Sequence, residues 1–95
     1  MKALVIGLGS IGSRHAKNLL DLGVEVIAIE PSKQMRSMHS LDVQYADSIE
    51  EADANFAVVC SPTHLHLPHA IGAAKEGMHV LIENRLPTPP KVFLN

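Results

Sequence analysis

The sequence predicts an α/β fold: a doubly wound parallel sheet of about five strands, in the order 3-2-1-4-5, with helices on both faces. Three observations carry that prediction. Short apolar runs alternate with segments of helical period along nearly the whole chain. The runs are apolar at nearly every position, as strands covered on both faces are. Glycines at positions 7, 9 and 12 follow the first run and open the first helix, where a strand must turn sharply into its crossover. Right-handed crossovers then make the doubly wound order the simplest arrangement.

The elements follow in turn. Residues 2–6 (KALVI) form a strand of mostly branched side chains, and the glycine loop follows at once. Residues 10–22 read as a helix, because Gly12, Ala16, Leu19, Leu20 and Gly23 recur at helical spacing, small residues first. Gly23 supplies the stop. Residues 24–29 (VEVIAI) form the second strand, and Pro31 fits the first turn of a helix running to about Ser40. A short strand is expected at residues 42–45, then a brief helix capped by Asp47 or Ser48 and ending at Ala52. Residues 56–60 (FAVVC) are the fourth strand, broken by Ser61-Pro62. Residues 64–76 read as a helix with Pro68 in its first turn, where a missing N–H is tolerated. Gly77 ends it, and residues 78–82 (MHVLI) are the last strand, expected at the sheet edge. Residues 1–83 thus make one domain. Residues 84–95 (NRLPTPPKVFLN) carry three prolines and no helical period, and read as a short tail.

Composition narrows the classes. A 46% hydrophobic chain has enough apolar material for a core. A net charge of −2 with scattered Lys and Arg, and only 3% aromatic residues, argues against nucleic acid as a partner. No apolar run reaches the ~18 residues of a membrane span, and the N-terminal run is too short for a secretory leader. Cys60 stands alone, so no internal disulfide forms. The expectation is a soluble, cytoplasmic domain.

The glycines are spaced G-x-G-x-x-G, which is weak alone but follows a strand and opens a helix here. Gly7 permits the tight turn, Gly9 lets the backbone approach a pyrophosphate, and Gly12 lets the helix press on the strand. The helix N-terminus presents free N–H groups to the phosphates. Gly7, Leu8, Gly9, Ser10, Ile11 and Gly12 therefore form the expected phosphate cradle of a Rossmann-type dinucleotide site. Glu30 ends the second strand, 18 residues after Gly12, where a carboxylate accepts from ribose hydroxyls; Pro31 follows it. That carboxylate repels a 2′-phosphate, so NAD is expected ahead of NADP, with Ser32 and Lys33 as the counter-argument.

A second stretch, residues 58–84 (VVCSPTHLHLPHAIGAAKEGMHVLIEN), together with GLGSIGSRHAKNL, resembles the N-terminal domain of the glucose–fructose oxidoreductase, inositol dehydrogenase and MocA family. The resemblance covers residues 2 to about 83. It implies a cofactor domain of an NAD(P)-dependent sugar or polyol oxidoreductase. Ser61, Pro62, Thr63 and His66 would line the cofactor's ribose and nicotinamide side, with Glu83 close to the nicotinamide. The family's E-K-P departs here to Glu83-Asn84-Arg85, which puts Asn84 in place of the lysine that acts on the reacting oxygen. The family's substrate pocket lies in a second domain, and only a dozen residues follow Glu83. The chain is therefore expected to bind cofactor but not to turn over alone, with no catalytic residue of its own. The alternative is a regulatory module that senses a nucleotide.

Other constellations read as structural. His64, His66 and His69 are spaced by two and three, without a carboxylate or thiolate, so no metal site is expected. His15 and His79 are read as isolated, Cys60 as a small buried hydrophobe, and Met35 and Met38 as packing on the sheet. Glu50, Glu51 and Asp53 read as a solvated helix face. The expected partners are the dinucleotide and either a second copy paired along the last strand or a separately encoded substrate domain.

Overall fold

The computed structural model describes residues 1–83; the proline-rich tail, with Asn84 and Arg85, lies outside the described residues. Five parallel strands form the sheet: β1 (Lys2–Ile6), β2 (Glu25–Ile29), β3 (Gln44–Tyr45), β4 (Phe56–Val59) and β5 (His79–Ile82). Their order is β3-β2-β1-β4-β5, as the sequence predicts. The helices are α1 (Ser10–Asp21), α2 (Lys33–His39) and α3 (Thr63–Lys75).

The central strand shows why this order forms. Ala3, Leu4, Val5 and Ile6 are all buried, because β1 has strands on both sides and helices over both faces. Alternation along the strand sorts them. Leu4 and Ile6 join Ile27, Ala57, Val59, Ala73 and Met78 in one cluster, on the α3 face. Val5 joins Leu8, Ala16, Val26 and Ala28 in the other, on the α1 face, where Leu19 and Leu20 pack. Small residues at the start of α1 let it lie close to the sheet: Gly12, Ser13 and Ala16 are its buried positions.

Four expectations are corrected. Residues 48–52 form turns closed by Glu51 N–H to Ser48 O (3.3 Å) and Ala52 N–H to Ile49 O (3.1 Å), because so short a segment cannot offset helix nucleation. Pro31 precedes α2 instead of entering it; Ser32 is the N-cap, its hydroxyl accepting from Met35 N–H at 3.2 Å. Pro68 lies in the second turn of α3, which starts at Thr63, so it removes the N–H that would reach the His64 carbonyl. Met38 is exposed on α2, a helix with no buried residue, so it does not pack on the sheet. Among the described residues, strand β5 pairs only with β4 and lies at the sheet edge, with Leu81 and Ile82 exposed.

The ladders continue one residue past the strand ends. Gly7 N–H donates to Ile29 O (2.8 Å), Cys60 N–H to Ile6 O (2.8 Å), and Glu83 N–H to Val59 O (3.0 Å). This brings the residues after β1, β2, β4 and β5 to one level at one sheet edge. Between β1 and β4 the chain order reverses, so the loops after these two strands diverge and leave a crevice. Among the described residues, no helix is long and apolar enough to cross a membrane.

Candidate functional site

The crevice is a cavity of about 650 Å³ at the carboxyl ends of the strands. Ten of the sequence-predicted site residues line it: Gly7, Gly9, Ile11, Glu30, Pro31, Ser61, Pro62, Thr63, His66 and Glu83. Leu8, Ser10 and Gly12 do not. The Leu8 side chain is fully buried in the α1-face core, Ser10 is exposed, and Gly12 is packed beneath the loop.

The three glycines have different structural needs. Gly7 has φ +95°, and a Cβ there would stand 3.0 Å from Ser61 N. A Cβ on Gly12 would collide with the Gly7 carbonyl oxygen and come 2.8 Å from its carbonyl carbon. Gly9 is unlike both. Its φ is −65°, open to any residue, and the nearest atom to an added Cβ is the Met35 methyl, 3.9 Å away. Nothing in the fold requires a glycine at position 9.

Gly9 is also the N-cap of α1. It has no side chain to cap the helix, and no acidic residue stands in the first turn. Ser13 N–H and hydroxyl both turn back to Gly9 O, at 2.9 and 2.8 Å. Among the described residues the first-turn N–H groups thus have no side-chain acceptor, and the helix dipole leaves positive potential at the cavity floor. That end suits an anion, and the space over Gly9 is where it would sit.

Glu30 is buried, 8% exposed, although it lines the cavity. One carboxylate oxygen accepts from Leu8 N–H at 2.7 Å and the other from Ser32 N–H at 2.9 Å. Its own carbonyl accepts from Arg36 Nε–H at 2.6 Å, and the Arg36 guanidinium lies 4.5 Å over the Tyr45 ring.

Across the cavity, α3 anchors the β4–α3 loop through two imidazoles. His66 Nε2 lies 2.6 Å from the Ser61 carbonyl, which can only accept, so His66 carries its proton there. His69 Nδ1 lies 2.7 Å from Ser61 Oγ. Burial, then repulsion from His66, lowers the His69 pKa and keeps that ring neutral at pH 7. The sequence offered no reason to add His69 to the site; the helical turn that puts it over Ser61 supplies one. His66 and His69 are spent on one serine, and among the described residues no group of three or more His, Cys, Asp or Glu could hold a metal.

His15 is not isolated. Its Nε2 stands 2.7 Å from Glu83 Oε1, linking α1 to the residue after β5 across 68 positions of sequence. Met35 and Cys60 also line the cavity, and no local motif marks either. Burial, helped by the Glu83 charge, pushes the Cys60 thiol up to about 11. Alkylation of Cys60 by iodoacetamide at pH 7.5 should therefore run roughly 100-fold or more slower than a free thiol. Its rate should keep rising through pH 10, where an ordinary cysteine has levelled off. A plateau reached by pH 10 would show an unperturbed thiol.

Comparison with known proteins agrees with this geometry. Residues 1–90 match the family described as "Oxidoreductase family, NAD-binding Rossmann fold", the Gfo/Idh/MocA family. The chain is 30% identical over 95 residues to a myo-inositol 2-dehydrogenase of Thermotoga maritima, covering 90% of this chain and 28% of that protein. It is 26% identical over 93 residues to a 4-carboxy-2-hydroxymuconate-6-semialdehyde dehydrogenase of Sphingobium, covering 87% and 29%. In fold it is similar to scyllo-inositol dehydrogenase of Lactobacillus casei, solved with NAD(H) and scyllo-inositol. The TM-score is 0.76 at 24% identity, over 86% of this chain and 27% of that one. The chain spans under a third of the length of these relatives. A strand–glycine–helix turn, an uncapped helix end and a match over nearly the whole chain converge: this protein belongs to the Gfo/Idh/MocA oxidoreductase family and carries its NAD-binding Rossmann fold.

Proposed function

We propose that residues 1–83 are the cofactor domain of a sugar or polyol oxidoreductase, binding NAD in preference to NADP, with residues 84–95 as a tail. Gly9 carries the reading. The fold leaves its Cβ position open, so the glycine there serves a ligand that must approach the backbone. The pyrophosphate would lie over Gly9 on the first-turn N–H groups of α1. The adenosine ribose would reach Glu30 and Pro31, and the nicotinamide end would reach Ser61, Pro62, Thr63, His66 and Glu83. The nicotinamide, when bound, would supply the hydride acceptor; the chain's own residues would hold and orient it.

Two features favour NAD. The Glu30 carboxylate would stand beside a 2′-phosphate, and Arg36, the nearby cation on α2, is held by the Glu30 carbonyl and stacked on Tyr45. Turnover by this chain alone is not expected. The family's lysine position holds Asn84, and a positioned acid–base group commonly contributes about 10²–10⁴-fold of the rate. A partner is expected along the β5 edge, where backbone groups and the exposed Leu81 and Ile82 are available.

Calorimetric titration with NAD and NADP tests the reading, with NADH absorbance followed in the presence of inositol and glucose. NAD should bind about tenfold more tightly than NADP, consistent with charge repulsion of about 1.4 kcal/mol, and absorbance should stay at background. Binding of neither dinucleotide at millimolar concentration would overturn the site. Tighter NADP would overturn the cofactor choice, and clear turnover the binding-only reading.

A further inference from the structure

The carboxylate of Glu30 is engaged before any ligand arrives. It is buried, yet among the described residues no cation lies within 4 Å of it. Its compensation is two backbone N–H groups from different loops: Leu8 at 2.7 Å, in the glycine loop, and Ser32 at 2.9 Å, the N-cap of α2. Leu8 lies between Gly7 and Gly9 and has its side chain fully buried. The loop is thus pinned by three contacts at two consecutive residues: Gly7 N–H on Ile29 O, the Leu8 side chain in the core, and Leu8 N–H on Glu30.

A carboxylate that served only to meet a ribose would not need both oxygens committed inside the protein. We propose that Glu30 is a positioning residue. It ties the glycine loop to the β2–α2 turn and so builds the phosphate cradle, and its removal lowers the affinity for NAD and NADP together instead of exchanging one cofactor for the other. This rests on the dinucleotide reading above. A carboxylate has about four lone-pair directions, so two remain for ribose hydroxyls once the N–H groups are served. Taking away the charge relieves repulsion of a 2′-phosphate. It also leaves the buried Leu8 N–H without an acceptor, and the cradle both cofactors need is lost with it.

The test uses the full chain and the variants Glu30→Ser and Glu30→Gln. Binding is measured for NAD, NADP and the 2′,3′-dideoxyadenosine analogue of NAD. With Glu30→Ser, NAD and its dideoxy analogue should each weaken by at least about tenfold, and NADP should fall below its wild-type affinity. Glu30→Gln keeps one carbonyl acceptor and should fall between. It carries the same comparison if the serine variant does not fold. A gain in NADP affinity would overturn the proposal. So would a loss confined to ligands that keep their ribose hydroxyls, since that marks a hook alone.

Amide hydrogen exchange at Leu8 without ligand separates this from the dinucleotide reading. Protection should be present in the wild type and reduced in both variants; equal protection in all three overturns the brace. Reduced protection with no dinucleotide bound by any form would leave the brace standing and sink the dinucleotide site.

Discussion

Gly9→Val is expected to abolish the proposed dinucleotide binding and to leave the fold standing. Position 9 has φ −65° and ψ −166°, an extended conformation that valine adopts without strain. Its Cβ would meet only the Met35 methyl at 3.9 Å, so the side chain enters the cavity and not the core. The methyl groups would then occupy the space an anion needs to reach the first turn of α1. A hydrogen bond of about 2.9 Å to those N–H groups cannot form past them. The expected loss in NAD affinity is at least about 100-fold, equivalent to roughly 2.7 kcal/mol. Valine is a poorer N-cap than glycine, a cost of about 1 kcal/mol, so the melting temperature should fall by about 4–8 °C. Calorimetry with NAD and thermal unfolding by circular dichroism measure the two effects. Undiminished binding would show that the phosphates do not lie over Gly9.

Gly12→Ala should have the opposite signature, a fold that fails. The added methyl collides with the backbone of Gly7, which is itself held by its N–H bond to Ile29. Neither atom is the end of a flexible side chain, so α1 must lift from the sheet and open the cluster around Val5, Leu8 and Ala16. A core disruption of this kind costs about 3–5 kcal/mol, against a total of about 5–10 kcal/mol for a domain of this size. The melting temperature should drop by more than about 15 °C, or the protein should be recovered unfolded. Gly23→Ala is the control. It also changes a glycine in or beside α1, but its Cβ would meet nothing within 4 Å, and only the positive φ of 84° is strained. Its cost should stay near 1–2 kcal/mol. Similar losses for the two variants would mean that the close approach at Gly12 is relieved cheaply.

The strand order was legible because its signals are local. Runs such as Ala3 to Ile6 are apolar on both faces, and glycines stand where helices begin and end. The weaker elements were not. Residues 48–52 have a capping pattern but too few residues to hold a helix, and α2 is held by its cap more than by packing, so Met35 and Met38 part company. The loops that come together at the carboxyl edge were also legible, since a parallel sheet sends all of them to one side.

By itself, then, the sequence determined the doubly wound sheet, the glycine turn and the cluster of Glu30, Ser61, His66 and Glu83 at one crevice. Only the tertiary structure decided what those side chains hold. Glu30 reads as a charge at a strand end, yet it is buried and braced on Leu8 and Ser32. His15 reads as isolated, yet it meets Glu83; His69 reads as part of a helix, yet it holds Ser61. The glycines share one motif, yet only position 9 is left open by the fold. The reason is physical. Periodicity and turn chemistry act over a few residues, whereas a hydrogen bond spanning 22 or 68 positions exists only once the sheet has set the distance.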